Sequence, residues 1–280
     1  MKRIFLLFIV ILTITACNSN RQIEVALITG HTDKHHNWEL MSQHILQTLT
    51  QNPRFNTLSI DVLSDEGQQI DFRKFDVVIM NINDVTWSDE QKLRFEEYMA
   101  AGGGMVVVHE ADNAFPEWKG YNEMIGLGGW GGRNDIEAGP FFYYLDGEFI
   151  TDSLSAGAGG KHGRRVPFEI TLRDQEHPIT KGLPSQWSHT DDELYGDLRG
   201  PAKNIHPLAT AFSDRESGGT DKEELVLFTV DYHKGRIFHT TLGHTGKEFD
   251  KSLNNPGFDV TLLRGTEWAA TGEVNFEINF

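Results

Sequence analysis

The 280-residue chain has a single cysteine, Cys17, and comparatively few basic residues. One cysteine excludes an intramolecular disulfide, a CxxC redox pair and a cysteine-based zinc site. The chain has 41 acidic and 25 basic residues, which gives a formal net charge of -16. Because proteins that bind nucleic acids need basic residues to neutralise phosphates, this charge argues against nucleic acid as a partner. Hydrophobic residues make up 39% of the chain, which is sufficient for a packed core.

Two common catalytic signatures are also missing. No G-x-G-x-x-G follows the first predicted strand, and no G-x-S-x-G is present, so neither a dinucleotide-binding turn nor a serine-hydrolase elbow is indicated. The triglycine Gly102–Gly104 follows a predicted helix and precedes a strand, whereas a phosphate-binding loop precedes a helix. The chemistry of this chain must therefore come from other residues.

The first residues predict export. Basic residues at positions 2 and 3 precede the apolar run Ile4–Ile14, which rises only about 16 Å as a helix and is too short to span a bilayer. The sequence ITAC, ending at Cys17, resembles a bacterial lipobox, which implies lipidation of Cys17. We therefore expect a signal peptide at 1–16, a tether at 17–22 and a domain at 23–280. The mature protein would face the periplasm from the outer membrane, touching the membrane only through its lipid anchor. An ordinary signal peptide with an incidental cysteine is the alternative.

Apolar runs and helix caps alternate after the tether. Ile23–Thr29 and Phe75–Ile82 are short apolar runs typical of strands buried on both faces. Helices are predicted after Asn37 and Ser88, and the second of them ends in glycines. This alternation predicts an α/β fold with a central, mostly parallel sheet. Further strands are predicted at Phe55–Val62, Met105–Val108, Val166–Leu172, Leu225–Val230, Arg236–Leu242 and, as an edge strand, Glu273–Phe280, with a last helix at about Gly257–Ala270.

The pattern loosens between residues 111 and 165, which are rich in glycine and include an aromatic cluster at Phe141–Tyr144. A segment of this length is too long for an idle loop in a compact domain. It is expected to be functional or to be an insertion with small strands of its own. Because no internal repeat or linker is present, we predict a single domain.

Histidines follow three of the predicted strands. His31, His35 and His36 come after the first strand, His109 after the fourth, and His244 after the second strand of the predicted hairpin. In open parallel sheets, ligands bind beyond the carboxyl ends of the strands. Each histidine could be structural when taken alone, but histidine has no special role in turns, so its repetition there indicates a site. The set suits either acid–base catalysis near neutral pH or a divalent metal such as zinc, with His36, His109 and His244 as candidate ligands.

Six motifs follow one another along the chain: Thr29–Gly30 with Asp33–Trp38, Gly102–His109, His177–Leu183, Asp192–Tyr195, Gly235–His244 and Trp268–Ala269. In this order they resemble the ThuA-like (trehalose utilisation) proteins. The resemblance implies a class I glutamine amidotransferase-like fold, which is a flavodoxin-like three-layer sandwich. The amidotransferase relatives use a cysteine after the strand where this chain has His109, so glutaminase activity is not supported.

The resemblance links the chain to the uptake and breakdown of trehalose and related sugars. We expect an enzyme that acts on a carbohydrate or keto-sugar by hydrolysis, elimination or isomerisation, with His109, His244 and Asp192 as catalytic residues. The alternatives are a non-catalytic sugar-binding lipoprotein and an accessory of a sugar dehydrogenase; a homodimer is left open. The expected sugar-binding residues are Gly30, His31, His35, His36, Trp38, Trp130, Arg133, Glu193 and Tyr195.

The chain departs from the family in one glycine-rich loop. Relatives commonly have a histidine shortly after a pair of glycines, whereas this chain has Trp130 and then Arg133, with no histidine between residues 128 and 134. Arg133 could polarise a substrate carbonyl instead. A site that depended on the loop histidine would be altered here.

Overall fold

The computed structural model describes residues 21–246 and 251–275. The expected signal peptide, the expected lipidation site at Cys17 and most of the expected tether lie outside the described residues. Within the two described ranges, no helix combines the length and the apolar character needed to cross a bilayer. The helices are α1 (Trp38–Thr50), α2 (Asp89–Ala101), α3 (Lys119–Ile125) and α4 (Pro256–Thr271).

The strands account for most of the remaining regular structure. Short 3₁₀ helices also occur, and one of them, at His109–Asp112, follows a central strand directly. In chain order, the strands are β1 (Ile23–Thr29), β2 (Phe55–Asp61), β3 (Val77–Met80), β4 (Gly104–Val108), β5 (Phe141–Leu145), β6 (Glu148–Asp152), β7 (Lys161–His162), β8 (Val166–Leu172), β9 (Gln186–Asp192), β10 (Tyr195–Gly196), β11 (Ile205–Ser213), β12 (Lys222–Tyr232) and β13 (Gly235–Thr240).

The large sheet has two parts that differ in strand direction. Its parallel part has the order β2-β1-β3-β4-β13. It continues as β12-β11-β8-β9 with antiparallel pairing, and the β5–β6 hairpin joins beside β12. Met80 lies opposite Val107, and Thr240 lies opposite Val108. The carboxyl ends of β3, β4 and β13 therefore reach the same edge of the sheet.

Local sequence explains where the first two helices begin. The Asn37 side chain accepts a hydrogen bond from Leu40 N at 3.0 Å, and the Ser88 hydroxyl accepts one from Gln91 N at 3.2 Å. The second helix ends at Gly102, whose φ of +113° lies in a region that favours glycine. The predicted starts of both helices, and the glycine end of the second, are confirmed.

The alternation of side chains along β1 divides the core into two layers. Val25 and Leu27 pack with residues of α1 and α4, whereas Ala26 and Ile28 pack with residues of α2 and α3. All four side chains are fully buried. Helices thus cover both faces of the sheet, which confirms the predicted flavodoxin-like α/β sandwich.

The less regular segments agree only in part with expectation. The glycine-rich segment 111–165 does contain small elements, α3 and β5 to β7. Strands β9 and β11 were not predicted; β9 reads QWSHTDD, which has too few apolar residues to indicate a strand. The expected edge strand Glu273–Phe280 falls mainly outside the described residues, and residues 273–275 form no strand.

Candidate metal centre

Three histidines meet at the carboxyl edge of the parallel strands. His36 lies in the loop after β1, His109 directly follows β4, and His244 lies in the loop after β13. Their ring centroids are 5.0 to 5.3 Å apart. Glu193, directly after β9, adds a carboxylate, and one donor atom from each of the four side chains lies within 4.8 Å of the others. We call these four residues the His–Glu cluster.

His109 is held in a single tautomer. Its Nδ1 lies 2.7 Å from Thr241 O, and because a carbonyl only accepts, Nδ1 carries the proton and Nε2 keeps its lone pair. Nε2 is buried, and no described group forms a hydrogen bond with it. The residue also has a φ of +43°, a strained value for a residue other than glycine. An unsatisfied buried acceptor costs roughly 1–3 kcal/mol of folding free energy. The unpaired Nε2 of His109 is therefore better explained by ligand binding than by a contribution to fold stability.

His36 is oriented by carboxyl groups. Its Nδ1 lies 3.1 Å from Asp33 Oδ1 and 3.4 Å from Glu110 Oε2, while its Nε2 lies 3.2 Å from Tyr195 Oη. Histidines that bind metals usually donate their second ring N–H to a carboxylate or a carbonyl. His36 and His109 both have this arrangement.

The other two members of the cluster come from segments that Asp192 joins. His244 Nδ1 lies 3.3 Å from Glu193 Oε2. The buried Asp192 carboxylate accepts hydrogen bonds from the backbone amides of Glu193, Gly243 and His244, and it lies 2.8 Å from the Nε2 atom of His189. Asp192 therefore lies behind the cluster, and the catalytic role expected from the sequence stays a prediction.

Burial controls protonation at the cluster. It lowers the pKa of His36 below the ordinary value of 6.5, although Asp33 opposes the change, and it lowers the pKa of His109 further. Both rings are thus neutral near pH 7 and keep a lone pair. Burial, reinforced by Asp33, raises the pKa of Glu110 well above 4.5 and favours its protonated form. Three imidazoles and a carboxylate, with no thiolate, form a donor set that suits zinc or manganese.

The cluster borders a cavity of about 860 Å³. Tyr195 stacks on His109 with ring centroids 4.1 Å apart, and the ring centroids of Trp130 and Tyr195 lie 4.6 Å apart. A groove of about 890 Å³ between α1 and α4 is slightly larger, but it contains no member of the cluster. The cavity of about 860 Å³ that borders the cluster is therefore the candidate site. Its wall also includes Asp33, His35, Asn83, Asp84, Phe115 and His162.

The remaining residues expected in the first loop serve different purposes. His35 is exposed on the cavity wall, and His31 Nδ1 lies 3.2 Å from a backbone carbonyl. Trp38 begins α1. Gly30 has a φ of +109°, and a Cβ atom there would collide with the Asp61 carboxylate, so the position requires glycine for its backbone. Of these residues, only His35 lines the cavity.

Arg133 is buried in the glycine-rich loop and does not line the cavity. Its Nε donates to the Asn122 side chain at 3.0 Å, and its terminal nitrogens donate to the carbonyl oxygens of Asn113, Ala114 and Gly129. Through these four hydrogen bonds the guanidinium stabilises the conformation of the glycine-rich loop. Its expected role toward a substrate carbonyl stays a prediction.

His162 and Glu110 were not identified as site residues from the sequence. His162 lies in β7 opposite Tyr195, with Nε2 3.9 Å from Glu193 Oε2. Its surroundings, GKHGR, have no periodic pattern that could have predicted its place. Glu110 directly follows His109 at a strand end, so the rule that placed His109 at the site could have included it.

Solved structures with this architecture include two ThuA-like proteins. The one from Parabacteroides merdae ATCC 43184 is 43% identical and has a TM-score of 0.86, over 92% of this chain and 93% of its own. The one from Bacteroides uniformis ATCC 8492 is 18% identical, with a TM-score of 0.58 over 91% and 94%. A cytoplasmic protein of Salmonella typhimurium is 10% identical, with a TM-score of 0.53 over 89% and 99%. The last two show the fold alone.

The family assignment rests on a sequence match as well as on structure. No curated protein matches the chain significantly. The model of the ThuA family, described as trehalose utilisation, matches residues 24–269, a range that includes all four members of the His–Glu cluster. The chain belongs to the ThuA family.

Proposed function

We propose that this chain is an exported enzyme that acts on a neutral carbohydrate or keto-sugar with a divalent metal ion held by the His–Glu cluster. The observation that carries the proposal is the convergence of three histidines and Glu193 within 4.8 Å. Those side chains come from four separate strand ends, and a buried lone pair on His109 Nε2 has no hydrogen-bond donor among the described residues. Zinc fits this donor set best, with manganese second.

The cavity supports a neutral rather than a phosphorylated sugar. No Lys or Arg stands among the described residues that line it, whereas Asp33, Asp84 and Glu193 do. Arg133, the nearest candidate from the sequence, uses its donors within its own loop. Trp130 offers an aromatic surface to sugar C–H groups, and imidazoles can donate to or accept from hydroxyls.

The chemistry would be divided between the metal and the side chains that hold it. A divalent ion in the cluster would polarise a substrate oxygen or activate a bound water. Thr241 O and Asp33 orient the rings of His109 and His36, and burial keeps both rings neutral. The Tyr195 hydroxyl lies 3.2 Å from His36 Nε2, and we infer that it would bond a hydroxyl of a sugar in the cavity that Tyr195 lines. These groups can serve hydrolysis, elimination or isomerisation, and substrate profiling decides among them.

Metal analysis and substrate profiling on one preparation test the proposal. We expect about one equivalent of zinc or manganese per chain. Conversion of a disaccharide or its 3-keto form should stop on chelation and return when metal is restored. His244→Asn should lose both metal and conversion. His44→Asn is the matched control, because His44 pairs with Asp259 at 2.6 Å outside the cluster, and it should keep both.

Two results would contradict the metal-dependent enzyme. Conversion that persists after complete chelation would remove the metal from the mechanism. Sugar binding without conversion, unchanged in His244→Asn, would favour the non-catalytic sugar-binding protein, which uses Trp130 and Tyr195 but does not need the cluster.

We also propose that the mature chain is held at the periplasmic side of the outer membrane through lipid on Cys17. The support is the basic and apolar start of the chain followed by ITAC. Labelled fatty acid should enter the native chain but not the Cys17→Ser variant, which should remain unprocessed or leave the membrane fraction. A native chain without label would reject the anchor and leave the enzymatic proposal untouched.

A further inference from the structure

We propose that Asp192 is a positioning residue that joins Glu193 and His244 into one rigid half of the metal centre. This inference rests on the proposed metal function. The Asp192 side chain is buried. Each of its oxygens receives two hydrogen bonds: Oδ1 accepts from the amides of Glu193 (2.8 Å) and His244 (2.9 Å), and Oδ2 accepts from Gly243 N (2.7 Å) and from His189 Nε2 (2.8 Å).

These four contacts decide what Asp192 can do. A carboxylate offers about four lone-pair sites, so these contacts leave Asp192 no acceptor site for a substrate or a metal ion. It also does not line the cavity. Its influence on the site must therefore pass through the two segments that it binds.

Both segments turn through a positive φ, and the turn before Asp192 is strained because Asp191 is not glycine. Asp191, directly before Asp192, has a φ of +39°, and Gly243, directly before His244, has a φ of +108°. Strained conformations persist only where the surroundings enforce them, and three backbone amides turned toward one carboxylate provide that enforcement. Glu193 comes from the antiparallel part of the sheet and His244 from the parallel part. Asp192 is thus the link that fixes the distance between two ligands from different parts of the fold.

The near-isosteric variant Asp192→Asn tests this link. An amide has one oxygen, so the –NH₂ group of Asn would face at least the Gly243 N–H donor, and that contact would be lost; His189 could keep its contact only by changing tautomer. We expect Co²⁺, used as a spectroscopic substitute for zinc, to bind the variant about 10- to 100-fold more weakly than the wild type. The visible absorption of bound Co²⁺ should also change, since its position depends on the number and geometry of ligands.

A second buried carboxylate provides the matched control. Glu267 is fully buried, pairs with Arg54 Nε at 3.2 Å and accepts from Asn275 N, but it belongs to the far end of α4. Glu267→Gln should destabilise the fold and leave the Co²⁺ affinity and spectrum unchanged. If Asp192 were merely structural, Asp192→Asn would likewise destabilise the fold and leave Co²⁺ binding unchanged. Equal loss of Co²⁺ affinity in both variants would show that destabilisation alone weakens binding, and it would also overturn the proposal.

His189→Phe keeps the test valid if Asp192→Asn does not fold. It removes one of the four contacts and places an apolar ring next to Phe168, which already packs on His189. Co²⁺ binding should weaken severalfold, with an altered spectrum; unchanged binding would overturn the positioning role. If the wild type binds neither Co²⁺ nor Zn²⁺, the proposed metal function fails first. If the wild type binds and Asp192→Asn binds equally well, only the role of Asp192 fails.

Discussion

The two edges of the parallel sheet use buried polar groups in opposite ways. At the amino edge, the groups are paired: the Arg236 guanidinium donates to the carbonyls that end α4, and the Tyr98 hydroxyl bonds both N and O of Gly104. Arg54 pairs there with the fully buried Glu267. Each of these contacts ties a helix or a loop to the sheet. The polar groups at this edge therefore serve stability.

At the carboxyl edge, several comparable buried atoms form no hydrogen bond with the described residues. His109 Nε2 has no hydrogen bond there, Glu110 Oε2 has only the 3.4 Å contact with His36 Nδ1, and Asp112 Oδ2 and His239 Nε2 face each other at 3.8 Å. Each orphaned atom costs roughly 1–3 kcal/mol. A fold tolerates that cost where a ligand offsets it, so the unpaired atoms identify the functional edge better than the number of polar residues does.

The largest effect is expected for His109→Ala, at the carboxyl edge. We expect zinc affinity to fall by more than about 100-fold, beyond the range seen for residues that only orient ligands. Loss of the hydrogen bond to Thr241 O and of the packing on Tyr195 should cost the metal-free variant about 2–3 kcal/mol, partly offset by removal of the unpaired Nε2. Zinc should accordingly raise the melting temperature of the wild type but not that of the variant. Calorimetry with and without zinc measures both quantities.

An amino-edge variant completes that test. Arg54→Met leaves the Glu267 carboxylate buried without its cation and should cost about 2–3 kcal/mol, less than a fully buried pair because Arg54 is partly exposed. Zinc should still stabilise this variant as much as it stabilises the wild type. If Arg54→Met lost zinc binding, or if His109→Ala kept it, the two edges would not differ in the way that their hydrogen bonds suggest.

Much of the parallel half of the fold could be predicted from the sequence. The apolar runs of β1 and β3 have no other use than burial on both faces, and the caps at Asn37 and Ser88 have a direct geometric reason. The antiparallel extension could not be predicted in full, because β9 and β11 contain histidine, threonine and serine that only tertiary pairing makes strand-like.

The candidate site was predictable where strand ends define it. His36, His109 and His244 follow parallel strands, so topology alone brings them to one edge. His162 was not predictable, because its position depends on the pairing of β7 with β10. Arg133 shows a different limit: the sequence identifies a cation near the site but not the direction of its donors, which the loop carbonyls take up.

A smaller effect, in the pH dependence of stability, is expected at the amino edge. His177 packs on Trp268, whose carbonyl accepts from Arg236, and burial, helped by His206, lowers the pKa of His177 to about 4. Below pH 6.5 the unfolded chain gains a proton at His177 that the folded chain does not, so stability falls as the pH drops from 6.5 toward 4.

In the variant His177→Asn, the new side-chain oxygen would accept a hydrogen bond from Ile179 N, as the histidine Nδ1 does now at 3.2 Å, but the side chain would not titrate. Between pH 7 and pH 5, the metal-free variant should lose about 1 kcal/mol less than the wild type, a value reduced for partial exposure. Urea unfolding at the two pH values measures the difference, and equal losses in both proteins would show that His177 does not contribute to this pH dependence.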